Sequence, residues 1–138
     1  MVRKPTLEET IDLLRRKGSI RLFDGASEND IAQFENRQGT KLPKQIKDFL
    51  LITDGGEFFL PAGAQIYGVN HKPFIVVAEE FIVIGTLANG DPILCPINNK
   101  QVCVFNQERG VVEVDEIYVD FSTFLRNLPI LLGIIEGE

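Results

Sequence analysis

A chain of 138 residues, 44% apolar and 25% charged, has the makeup of one folded domain with a sizeable core, which excludes a disordered tail. Its net charge of −6 is uneven: residues 1–21 hold six basic side chains against three acidic, leaving eight basic and seventeen acidic ones in 22–138, a net of −9. A body of that sign repels a phosphate backbone and attracts a basic protein, so nucleic acid is not an expected partner.

Taken in chain order, Thr6 and Glu9 read as a capping box opening a helix over 6–17, with Leu7, Ile11 and Leu14 on one face and Gly18 as its stop. Ser27-Glu28-Asn29-Asp30 reads as a second N-cap, with Ile31 and Phe34 as the buried stripe and Gly39 as the end. Pro43 suits the first position of a third helix. Ile46, Phe49, Leu50 and Thr53 continue it, and Asp54-Gly55-Gly56 stops it with a left-handed glycine cap.

After Gly56 the helical period gives way to short β-like runs. The predicted strands are Glu57–Leu60, Gln65–Gly68, Phe81–Thr86, Pro92–Cys95, Gln101–Phe105 and Val111–Val114. Asn98-Asn99-Lys100 marks a tight hairpin that sets Cys95 opposite Cys103 as a cross-strand pair. Asp120 caps a last helix carrying Phe121, Phe124, Leu125 and Leu128, which Pro129 brings towards a close. Helices, then strands, then a helix make an α+β fold: an antiparallel sheet of about five or six strands flanked by N-terminal helices and a C-terminal helix.

The chemistry of an enzyme is not visible. The single histidine, His71, has no companion ligands at metal-binding spacing, and Cys95 and Cys103 lie too far apart for a zinc knuckle. A Cys–His nucleophile pair is formally open to either thiol, but both sit in apolar runs where thiols serve as inert packing. Gly55-Gly56 lacks the rest of a phosphate loop, and there is no G-x-S-x-G elbow. Paired carboxylates suited to glycoside hydrolysis exist only as sequence neighbours. No catalytic, cofactor or metal residue is therefore assigned, and the chain is read as a non-enzyme that needs no cofactor.

The two cysteines do not form a disulfide framework. No apolar h-region follows Met1-Val2-Arg3-Lys4-Pro5, and the longest greasy run, Leu128 to Ile135, is eight residues against the roughly 20 of a membrane span. No membrane association is expected, and the cytoplasm is the expected compartment. What does stand out is acidic. From Glu79 onward there are ten carboxylate residues against Lys100, Arg109 and Arg126. Glu79, Glu80, Asp91, Glu108, Glu113, Asp115 and Glu116 fall at predicted strand ends and turns, where a rigid scaffold displays binding groups. They are the candidate partner-binding residues. A solvated face also carries such charges without any function, and both readings stay open on sequence.

The run Ala26-Ser27-Glu28-x-x-Ile31-x-x-Phe34-Glu35, with Gly39, Leu42-Pro43, Phe49-Leu50 and Thr53-Asp54-Gly55-Gly56, resembles the SUKH superfamily in its Smi/Knr-like branch. Ile84-Gly85, Gly90-Asp91-Pro92-Ile93, Val102-Cys103-Val104-Phe105 and Phe121-x-x-Phe124-Leu125 continue the likeness over about 25–128. With the helix 6–17 in front, the reading is one SUKH-like domain over 1–138. Where the family often carries a Trp and a His, Phe105 and Asn106 stand. The resemblance implies an α+β fold without a shared catalytic residue. It also implies a function by class: an immunity protein that binds and neutralises a co-encoded polymorphic toxin, frequently a nuclease or deaminase. The alternative is a regulatory protein-interaction module of the Smi/Knr type with no toxin partner.

Overall fold

The computed structural model describes residues 6–18, 20–59, 63–70, 73–77, 81–96 and 101–131, with backbone alone for 17 and 112–116. Helix α1 (Leu7–Lys17) begins where the capping pair predicts. The Thr6 hydroxyl accepts the Glu9 N–H at 3.1 Å, and the Glu9 carboxylate accepts the Thr6 N–H at 2.9 Å. Ser27 and Asp30 build the same reciprocal box at the start of α2 (Glu28–Gln38). Gly39 closes α2 at φ 66°, where a Cβ would be strained.

Helix α3 (Lys44–Ile52) starts one residue later than predicted, with Pro43 as its N-cap. Its end also differs from the expected glycine cap. Thr53 closes the helix in extended backbone, because its buried hydroxyl lies 2.6 Å from the Phe23 carbonyl and 2.7 Å from that of Gly55. The positive φ, 95°, falls at Gly55, where the chain turns into the sheet. Helix α4 (Phe121–Leu131) opens on Asp120, whose carboxylate accepts the Thr123 N–H at 2.8 Å. It runs past Pro129 to Leu131: so near the end, the missing N–H forfeits only one intrahelical bond.

Among the described residues, eight strands form one antiparallel sheet: β1 (Ile20–Leu22), β2 (Gly56–Phe58), β3 (Ala64–Ile66), β4 (Ile75–Val77), β5 (Phe81–Leu87), β6 (Pro92–Pro96), β7 (Val102–Asn106) and β8 (Val111–Tyr118). The order is β1-β2-β3-β5-β6-β7-β8. Strand β5 has β6 on one side; on the other, β4 pairs its first half and β3 its second. The expected five or six strands become eight because β1 and β4, three residues each, are too short to show a period. Strand β8 also runs on past the predicted Val114 to Tyr118. Asp115 and Glu116 suggested a loop, but an edge strand accommodates such charges.

Each helix sends its apolar stripe into one core, including Ile11, Phe34, Phe49 and Phe124, against Ile82, Ile84, Ile93, Cys95, Val102 and Val104 of the sheet. The opposite face of the sheet is apolar too. Its register sets Ile75 beside Val83, Val83 beside Leu94, Leu94 beside Cys103, and Cys103 beside Ile117. That register corrects the predicted thiol pair. Cys103 faces Leu94 rather than Cys95, one residue out of step, and a one-residue slip exchanges the two faces of a strand. Cys95 therefore points to the helix-covered core and Cys103 to the other side. The hairpin residues Asn98, Asn99 and Lys100 lie outside the described residues. Among the described residues, no helix is long and apolar enough to cross a membrane.

Candidate functional site

The two buried carboxylates within the Ala26–Gly56 run, Glu35 and Asp54, are structural. Glu35 is buried on α2, and its carboxylate accepts the Leu42 N–H at 2.7 Å. The Lys47 ammonium stands 3.2 Å from it and that of Lys41 3.9 Å, so the buried charge is paired. Asp54, also buried, accepts the Val69 N–H at 2.7 Å with one oxygen and the Asn70 N–H at 3.0 Å with the other. The Asn70 amide in turn donates to Asp30 at 3.0 Å. Backbone donation from Ser27 first, then the Asn70 amide and the Ser27 hydroxyl, hold the Asp30 carboxyl below its ordinary 3.8. These links tie the start of α2 and the end of α3 to the chain between β3 and β4. They fix the scaffold and leave no carboxylate of the set free for chemistry.

Of the seven candidate partner-binding carboxylates, Asp91 and Glu108 are the two whose side chains are described. Asp91 and Glu108 come together, since Asp91 accepts the Gln107 N–H at 3.1 Å and so joins the β5–β6 turn to the β7–β8 turn. Asp91 is half-buried and also receives the Asn89 amide at 3.2 Å, a bonded turn residue rather than an open charge. Glu108 is exposed beside it. Glu113, Asp115 and Glu116 lie in β8, the edge strand on the far side of β7. Glu79 and Glu80 lie outside the described residues; they precede β5 in the chain, whereas Asp91 follows it.

Both thiols are buried. Burial first, and then the nearness of Cys103, pushes Cys95 up to about 12, while burial alone raises Cys103. At neutral pH neither is a thiolate. Iodoacetamide is therefore expected to leave both unlabelled in the native chain while alkylating both in denaturant; prompt native labelling of Cys95 would contradict its placement in the core. His71 lies outside the described residues. Among the described residues, no group of three or more His, Cys, Asp or Glu could hold a metal ion. A cleft of about 450 Å³ runs between α1 and the turn after β1, with Glu8, Asp12, Asp24 and Arg15 in its lining and neither His nor Cys.

What sequence reasoning missed is the apolar face opposite the helices. The signal was present: Phe81-Ile82-Val83-Ile84, Ile93-Leu94-Cys95 and Val102-Cys103-Val104-Phe105 do not alternate, and unbroken apolar runs mark strands that are apolar on both faces. Comparison with known families finds a match over residues 25–127 to the one described as the SMI1 / KNR4 family (SUKH-1). No curated protein matches the chain.

Proposed function

Because the chain belongs to the SMI1 / KNR4 family (SUKH-1), we propose that it is an immunity protein, one that binds a toxin encoded beside it and neutralises it by contact rather than by catalysis. The observation that carries this reading is the charge of the body: seventeen acidic against eight basic residues over 22–138. A nuclease-type toxin holds phosphates on a basic surface, and an acidic binder complements that surface and blocks it. No cofactor or metal enters this account, and the protein acts in the cytoplasm of the cell that makes the toxin.

Co-expression with the protein of the adjoining open reading frame tests the reading. Protection of the cell, together with a stable complex of the purified pair, is the expected result. A neighbour with no toxin-like domain and no complex would overturn it and favour the regulatory interaction module. Steering by charge makes a second expectation at the exposed Glu108. Glu108→Lys should slow association several-fold at low salt, with the difference fading near 0.5 M salt, where exposed charges are screened. An association rate equal to the parent's at low salt would remove Glu108 from the steering field.

A further inference from the structure

The buried stripe of α3 is Ile46, Phe49 and Leu50. Leu51 and Ile52 follow Leu50 at about 100° and 200° around the helix, which turns them off that stripe. They are 43% and 37% exposed, so two adjacent large apolar side chains stand at the surface where α3 ends. The turn after β1 packs directly against this end. The Ala26 N–H donates to the Leu50 carbonyl at 2.8 Å, and a Cβ on Gly25 would meet the Leu51 carbonyl oxygen at 2.3 Å. Turn and ridge are therefore one continuous surface, with a groove on each side. The cleft of about 450 Å³ takes in Ile52 with Asp24 of the turn and Glu8 and Asp12 of α1. A second groove, of about 310 Å³ between α2 and α3, takes in Leu51 with Ile31, Ala32 and Glu28. Exposed apolar groups rimmed by polar ones mark a protein contact.

The charges that line the two grooves say what sort of protein. Lys44 pairs with Asp48 at 2.8 Å and Lys47 with the buried Glu35 at 3.2 Å, so these four cancel. What remains is Glu8, Asp12, Asp24 and Glu28, all exposed, against Arg15. A second copy placed face to face would bring the same excess of carboxylates, and a phosphate backbone would be repelled. A small polyamine would satisfy the carboxylates but leave Leu51 and Ile52 in water. A protein segment with apolar side chains flanked by Lys or Arg meets both demands. We propose that the Leu51–Ile52 ridge with its two grooves is the docking surface, and that its occupant is such a segment of a basic protein. The proposal rests on the toxin-binding reading and locates its interface.

The test uses the full chain and a catalytically inactive form of the toxin domain encoded beside it. Leu51→Gln/Ile52→Gln keeps good helix formers on α3 while making the ridge polar. It should keep the parent's melting temperature and lose roughly tenfold or more in affinity. Asp12→Asn/Asp24→Asn should weaken binding several-fold at low salt, the difference fading near about 0.5 M. Ile75→Thr/Val77→Thr, at exposed positions of β4, should bind like the parent. Independently of any variant, the methyl resonances of Ala32, Leu51 and Ile52 should shift in the complex while those of Ile75 and Ile117 hold still. A parent complex with shifts confined to the sheet, or with undiminished affinity of the ridge variant, overturns the surface and leaves the function standing. Equal affinity of the Asn variant at low salt overturns the basic occupant. No complex with the parent overturns both the surface and the function. A homodimer of the chain alone that the ridge variant dissolves assigns the surface to a second copy and also overturns the proposal.

Discussion

Replacing Asp54 with Ala is expected to cost about 3–5 kcal/mol of stability, a third or more of what a domain of this kind commonly has. The carboxylate is buried at the end of α3 and accepts two backbone N–H groups, from Val69 and Asn70. Hydrogen bonds to a charged group contribute about 1.5–3 kcal/mol each, and a donor stranded away from water loses more than one that water can reach. Val69 is buried, so its N–H has no ready replacement. The backbone also comes close here: a Cβ on Gly68 would stand 2.3 Å from the carboxylate, leaving little room for a compensating shift. Asp54→Asn keeps one acceptor oxygen and should lose about half as much. Urea denaturation followed by circular dichroism measures both. A loss for the Ala variant below about 1 kcal/mol would mean that the anchor is not what holds the chain between β3 and β4.

Phe49→Ala should be comparably damaging, at about 3–5 kcal/mol. The ring is fully buried on α3, and it meets Phe121 of α4 edge to face with centroids 4.9 Å apart. Truncation removes the largest apolar group joining the third helix to the last and leaves a cavity that neighbours such as Phe124 and Leu50 fill only in part. A fall of roughly 10–15 °C in melting temperature is expected for a chain of this size. Phe49→Leu, which refills part of the volume, should recover about half. A melting temperature within 3 °C or so of the parent would show that α3 and α4 do not share the core described.

Much of this architecture is legible in the sequence because its punctuation is local. Thr6 with Glu9, Ser27 with Asp30, and Gly39 announce helix ends through bonds made within one turn, and the structure has each of them. What could not be read depends on partners distant in the chain. Strands β1 and β4 exist because β2 and β5 offer them an edge, not because three residues show a pattern. Thr53 ends α3 by bonding to Phe23, thirty residues earlier. The face of each thiol turned on a register one residue away from the symmetric guess.

The candidate site was legible in charge but not in shape. Counting carboxylates gave the sign of the body's charge; it gave no indication that Asp91 is bonded into a turn while Glu108 beside it is open. What the fold adds is an apolar row on the sheet face turned away from the helices. Its components were visible as runs without alternation, but which face the helices would leave bare is a property of the assembled sheet.

The most direct test of the central claim is a calorimetric titration of the chain with the inactive toxin domain from the adjoining open reading frame, at low salt and again near 0.5 M. Contact neutralisation between an acidic binder and a basic toxin predicts a one-to-one complex with a dissociation constant below about 1 μM at low salt, weakened by added salt. A titration without heat at either salt and at two temperatures, matched by no co-elution of the pair, would contradict it.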